Sequence, residues 1–238
     1  MLRRLAGQLT DAALARMARL PSARAPFPAE LLAPPPFALR LPAMDPDERR
    51  LLDAVLADPD ADEPRLRFAD WCESRGDPRG AWIRGQLGEA SGGALARRGD
   101  TDPVTAGLRP AAHTQFAPWG AKDLLFRRGF VEGMSLSGRA FISLGASLFR
   151  LTPLREVRLV AVAPFVGELA GCPHLGHLAR LDLTGNRIGP DGVRVLLGSP
   201  YVANLRELVL VRNGVTAADI AGVSTLFRGT FHFDPASE

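Results

Sequence analysis

Two stretches of the chain share one arrangement of apolar and polar positions: Leu178, Leu181, Leu183 and Asn186, and then Leu205, Leu208, Leu210 and Asn213. The alternating pair in each set predicts a short strand with one face turned to a core. The asparagine three residues on marks a bend, where its amide can satisfy backbone groups as the chain leaves the strand. Looser copies lie upstream, at Leu154, Val157 and Leu159 with Val162 in the asparagine position, and at Val131, Met134 and Leu136 with Arg139 there. The units start at 131, 154, 178 and 205, with separations of 23, 24 and 27 residues. Between strands, Val193, Leu196 and Leu197 have helical spacing, as do Ile220, Val223 and Leu226, predicting helices over 189–197 and 216–226. Thr216 followed three residues later by Asp219 is a capping arrangement for the second.

The first half is patterned differently. Residues 1–20 are expected to form a basic amphipathic helix, with Leu2, Leu5, Leu9, Ala13, Met17 and Leu20 on one face and Arg3, Arg4, Arg16 and Arg19 available to water. Arg16, Arg19 and several polar residues interrupt any apolar run of the kind a signal peptide needs. Eight prolines within 21–43 and just beyond make an extended linker. Helical signals then crowd together over 44–88. Asp45-Pro46-Asp47-Glu48 caps a helix carrying Leu51, Leu52, Val55 and Leu56. Pro64 opens a second with Leu66, Phe68, Ala69, Trp71 and Cys72, and Asp77-Pro78 a third with Trp82, Ile83 and Leu87. Residues 89–122 are rich in Gly, Ala and Pro and read as a loop or insertion, and 231–238 as a tail.

The spacing L-x-x-L-x-L-x-x-N resembles the leucine-rich repeat, and a strand plus a helix per unit resembles its ribonuclease-inhibitor type, here over 123–230. The segments Leu51-Leu52-Asp53-Ala54-Val55-Leu56-Ala57-Asp58-Pro59, Pro64-Arg65-Leu66-Arg67-Phe68-Ala69-Asp70-Trp71 and Arg75-Gly76-Asp77-Pro78-Arg79-Gly80 closely resemble the bacterial repeat-companion domain. That family is a short module found ahead of repeats, with no assigned biochemical role, and it commonly carries an acid where Ala81 stands here. The resemblance implies an α/β solenoid of about four strand–helix units, with a parallel sheet on its concave face and the helical module as its N-terminal cap.

Composition narrows the chemistry. The calculated pI is about 9.5 yet the net charge is only +3, and Lys122 is the sole lysine. No basic block or aromatic-interleaved motif supports nucleic-acid binding. Cys72 and Cys172 are expected as reduced thiols in a cytoplasmic protein. Cys172, His174 and His177 suggest a metal, but no fourth ligand follows at zinc-site spacing, so neither a metal nor a cofactor is expected. No nucleophile elbow, H-E-x-x-H, phosphate loop or dinucleotide fingerprint is present, so no catalytic residues are assigned. Asp70, Asp77, Arg79 and Arg84 read as helix caps and ion pairs rather than acid/base machinery.

A non-catalytic role in binding an unidentified protein partner is therefore expected, through residues between the core leucines. In-register parallel strands would set Gly133, Glu156, Arg180 and Glu207 in one row, Ser135, Arg158, Asp182 and Val209 in a second, and Ser137, Val160, Thr184 and Val211 in a third. Arg158 is expected to pair with Asp182, leaving mixed charge beside an apolar strip of Val160, Val209 and Val211. The alternative is a peripheral membrane or nucleic-acid adaptor using the 1–20 helix.

Overall fold

The computed structural model describes residues 43–90, 115–220 and 227–233, so the expected 1–20 helix, nearly all of the 21–43 linker and most of 89–122 lie outside the described residues. Of the described residues, those within Phe37–Met134 and Ala146–Leu154 form one compact unit, and those within Ser135–Gly145 and Arg155–Glu238 another. The fold is α/β, with a six-stranded, mostly parallel sheet whose strands follow one another in chain order. Among the described residues no helix is long and apolar enough to cross a membrane.

In the first unit, α1 (Pro46–Ala57), α2 (Glu63–Ser74) and α3 (Arg79–Ala90) arise where capping and periodicity predict them. The Asp45 carboxylate accepts the N–H groups of Asp47 at 2.8 Å and Glu48 at 3.4 Å, with Pro46 in the first turn. Leu52, Val55, Phe68, Ala69, Cys72, Ile83 and Leu87 form the core, and burial pushes the Cys72 thiol up to about 12. Trp82 is buried as well, whereas Trp71 sits at the margin under the Arg75 guanidinium, 4.6 Å from its ring centre.

The R-G-D-P-R-G run is explained by this packing. Asp77 accepts the Arg79 N–H at 2.9 Å, and the Arg79 side chain bonds both Asp77 and, at 2.7 Å, Glu48 of α1. A Cβ on Gly80 would lie 2.7 Å from the Ala69 carbonyl oxygen, so glycine is what lets α3 close on α2. Arg84 spans the same two helices, paired with Asp70 and Glu73. Arg79 thus reaches α1, and only Arg84 takes Asp70 and Glu73.

Burial works against the Asp77 charge, but the Arg79 hydrogen bonds outweigh it and hold the carboxyl below the usual aspartate range. A depressed folded-state pKa contributes stability above the ordinary aspartate value, and that contribution is lost as pH falls through the depressed value. Asp77→Asn, which retains a capping oxygen, should cost about 1 kcal/mol at neutral pH. The difference from wild type should shrink as pH falls through the depressed value, as read by urea denaturation across pH. A pH-independent difference would reject the ionic contribution.

The same unit contains β1 (Lys122–Arg127) and residues 130–134 of β2 (Phe130–Ser137). Arg128 and Gly129 join these strands with φ of 48° and 85°, the two-residue geometry of a tight hairpin. Gly129 is fixed twice over, because a Cβ there would stand 2.1 Å from Ile83 Cγ1 and its N–H donates to Gln86 Oε1 at 2.7 Å. The stretch 89–122, expected to be a loop, includes an ordered 3₁₀ turn at Ala117–Trp119 with Phe116 and Trp119 buried against each other, ring centres 5.5 Å apart.

Beneath the hairpin lies an ionic cluster with no counterpart in the sequence reading. Arg65 is 0% exposed and Glu132 2% exposed, and they pair at 2.8 Å. Glu132 also accepts from Arg128 at 2.9 Å, and Arg65 donates to the carbonyls of Pro59 and Arg128. Burial pushes the Arg65 guanidinium down to about 10 and the Glu132 carboxyl up, partly offset by their mutual attraction.

The second unit carries the repeating part. Here β3 (Glu156–Val160), β4 (Arg180–Asp182), β5 (Glu207–Val209) and β6 (Thr230–His232) pair in parallel. Residues 138–145 of α4 (Gly138–Leu151) belong to this unit and the rest of that helix to the first, and α5 (Val166–Ala170), α6 (Gly189–Leu197) and α7 (Ala217–Ile220) fall between successive strands. Helix α6 has the predicted bounds, while the expected 216–226 helix is described only over Ala217–Ile220, capped by Thr216 N–H and hydroxyl donating to Asp219 at 2.8 Å. Strand β6 corrects the reading of 231–238 as a tail, since Phe231 and His232 pair with β5.

The apolar strand positions of the last three units are buried: Leu154, Val157 and Leu159, Leu178, Leu181 and Leu183, and Leu205, Leu208 and Leu210 are all at most 3% exposed. The asparagines do more than close their own bends. Asn186 Nδ2 donates to Leu183 O and to Leu159 O, both at 2.7 Å, while its Oδ1 accepts from Val162 N–H at 2.8 Å. Asn213 repeats this one unit later, donating to Leu183 O at 2.8 Å and accepting from Ile188 N–H at 3.2 Å. Each amide thus stitches its unit to the preceding one.

Candidate binding face

Strand side chains alternate, so the residues flanking Val157, Leu181 and Leu208 emerge together on the opposite face of β3 to β6. The register aligns Glu156, Arg180, Glu207 and Thr230 in one row, and Arg158, Asp182, Val209 and His232 in the next. Thr230 and His232 extend the rows beyond the expected set, because the chain supplies one strand more than the asparagine pattern marks. The signal that could have found it is the alternation Phe231, His232, Phe233 after Gly229.

The first row is largely self-neutralised. Glu207 accepts from Arg180 and, through the same Oε1, lies 2.9 Å from His232 Nε2. All three side chains are partly solvated, so such pairs are worth no more than about 1 kcal/mol each.

The second row departs from expectation. Asp182 does not pair with Arg158: its Oδ1 accepts the Thr184 N–H at 2.8 Å, closing the turn after β4. A carboxylate so engaged by the backbone two residues ahead is held to its own strand end. Arg158 is exposed and has no ion-pair partner among the described residues. Val209 is also corrected, being only 7% exposed, since β6 makes β5 an interior strand with Asp182 and His232 on either side of it. Val160, Thr184 and Val211 are partly exposed, so the apolar strip reduces to Val160 and Val211.

Cys172, His174 and His177 lie in a 3₁₀ approach to β4, away from these rows in sequence. The two imidazoles stack with ring centres 6.3 Å apart, and His174 packs on Gly145, where a Cβ would meet its ring at 2.3 Å. Burial lowers the His174 pKa and raises that of the Cys172 thiol. Among the described residues no group of three or more His, Cys, Asp or Glu is arranged to hold a metal. No protein-family model, curated protein or solved structure matches the chain.

Proposed function

We propose that the chain is a leucine-rich-repeat protein of the ribonuclease-inhibitor type with an N-terminal repeat-companion module, acting in a bacterial cytoplasm as a non-catalytic unit that binds another protein on its parallel-strand face. The observation that carries this reading is the register of β3 to β6, which gathers charged side chains from residues 156 to 232 into two rows and leaves Arg158 exposed among them without an ion-pair partner. Strand faces of stacked units are the extended surfaces that repeat proteins present to partners. The bridging amides of Asn186 and Asn213 support the repeat assignment. Around Arg158, Glu156, Val160, Arg180, Thr184 and Val211 supply the partly exposed rim.

Affinity capture from the native host, with wild type, Arg158→Glu and an Arg194→Glu control on α6, tests this. A partner retained by wild type and control should fall about tenfold with the folded Arg158→Glu variant. Equal retention by all three proteins would overturn the assignment of the face.

A further inference from the structure

The first unit carries a half-open cavity of about 540 Å³, within the range of roughly 300–1,000 Å³ typical of small-molecule sites. Its wall is dominated by rings from separate elements: Phe68 of α2, Trp82 of α3, Phe116, Phe126 of β1 and Phe130 of β2. Their pairwise geometry is tilted or edge-to-face, with ring centres 5.1 Å apart for Trp82 and Phe126 and 5.3 Å for Phe68 and Phe130. Such rings present electron-rich faces that attract cations. The protein already uses two of them in this way, with Arg79 5.4 Å from the Phe68 ring centre and Arg65 5.2 Å from that of Phe130.

The polar part of the wall has an acidic surplus. Glu48 and Asp77 both line the cavity, against the single Arg79 that pairs with them. Arg79 donates to Glu48 Oε1 and Asp77 Oδ2, so one positive charge is set against two negative ones. Thr152 also reaches the wall, and because its hydroxyl donates to Val131 O at 2.6 Å, its lone pairs remain to accept. Apolar bulk, ring faces, surplus negative charge and acceptor atoms together select against anions and favour a ligand that brings a positive head and an apolar body.

We propose that this cavity is a binding site for a small organic cation, an amine or quaternary ammonium bearing an aromatic or aliphatic group. The site lies wholly in the first unit and is independent of the strand-face reading.

Three probes of similar size test it on the full chain by titration calorimetry: benzyltrimethylammonium, benzyl alcohol and benzenesulfonate. The cation should bind saturably and at least about fivefold more tightly than the alcohol, with the sulfonate weakest. In Trp82→Phe the fluorescence change on adding the cation should be lost while calorimetric binding persists. Glu48→Gln, checked for folding by circular dichroism, should bring the cation's affinity down to that of the alcohol. Equal or tighter binding of the alcohol or sulfonate, or no binding of the cation at millimolar concentration, would overturn the proposal. So would unchanged cation affinity in folded Glu48→Gln. If that variant unfolds, the ranking of the three probes on the unaltered chain decides alone.

Discussion

Replacing Asn186 by alanine should destabilise the second unit by about 2–4 kcal/mol, more than most single substitutions. The side chain is 1% exposed and completes three backbone groups, the carbonyls of Leu159 and Leu183 and the N–H of Val162. An alanine leaves the Leu159 carbonyl and the Val162 N–H without the amide, while Leu183 O keeps the Asn213 Nδ2 donor, and each buried unsatisfied group costs about 1–3 kcal/mol. Asn186→Asp should be nearly as damaging, because a carboxylate can accept from Val162 but cannot donate to the two carbonyls. Urea denaturation gives the magnitude. Hydrogen exchange should show early loss of protection at Val162, in the unit before the substitution. A cost below about 1 kcal/mol would mean that water replaces the amide.

The second large effect is expected in the other unit. Glu132→Leu leaves the fully buried Arg65 without its carboxylate and should cost about 3–5 kcal/mol. The double variant Arg65→Met/Glu132→Leu should be more stable than Glu132→Leu alone, because apolar replacement of both charges removes the desolvation penalty as well as the attraction. Arg65→Met by itself should be milder than Glu132→Leu, since Arg128 still pairs with Glu132 at 2.9 Å. A double variant no better than Glu132→Leu would place the cost in the lost carbonyl contacts at Pro59 and Arg128 instead. Denaturation of the three variants and wild type closes the cycle.

Those two clusters also mark where sequence was readable and where it was not. The apolar positions of the second unit, the α6 helix and the cap at Asp45 follow from local spacing, because periodicity and capping act within a few residues. The rows on the strand face were legible because parallel register follows from equivalent positions in successive units. Arg65 and Glu132 are 67 residues apart, and nothing in either local pattern distinguishes them from solvated charges until a hairpin covers both. Asp182 departs from expectation for a related reason: it stands in register with Arg158, yet its carboxylate takes the Thr184 N–H two residues along the chain. The aromatic cavity assembles from α2, α3, β1 and β2, so its rings look like ordinary core residues until the elements meet.

The stitching by asparagine gives the array a direction. Each unit's bend is finished by an amide belonging to its successor, so a unit added at the C-terminal end completes the one before it and arrives incomplete itself. The main-chain ladder carries no such asymmetry: the Leu210 N–H donates to His232 O of β6 at 2.8 Å just as the Leu183 N–H donates to Val209 O at 2.9 Å. Backbone pairing is therefore indifferent to direction, and the polarity of the array resides in the side-chain amides of Asn186 and Asn213.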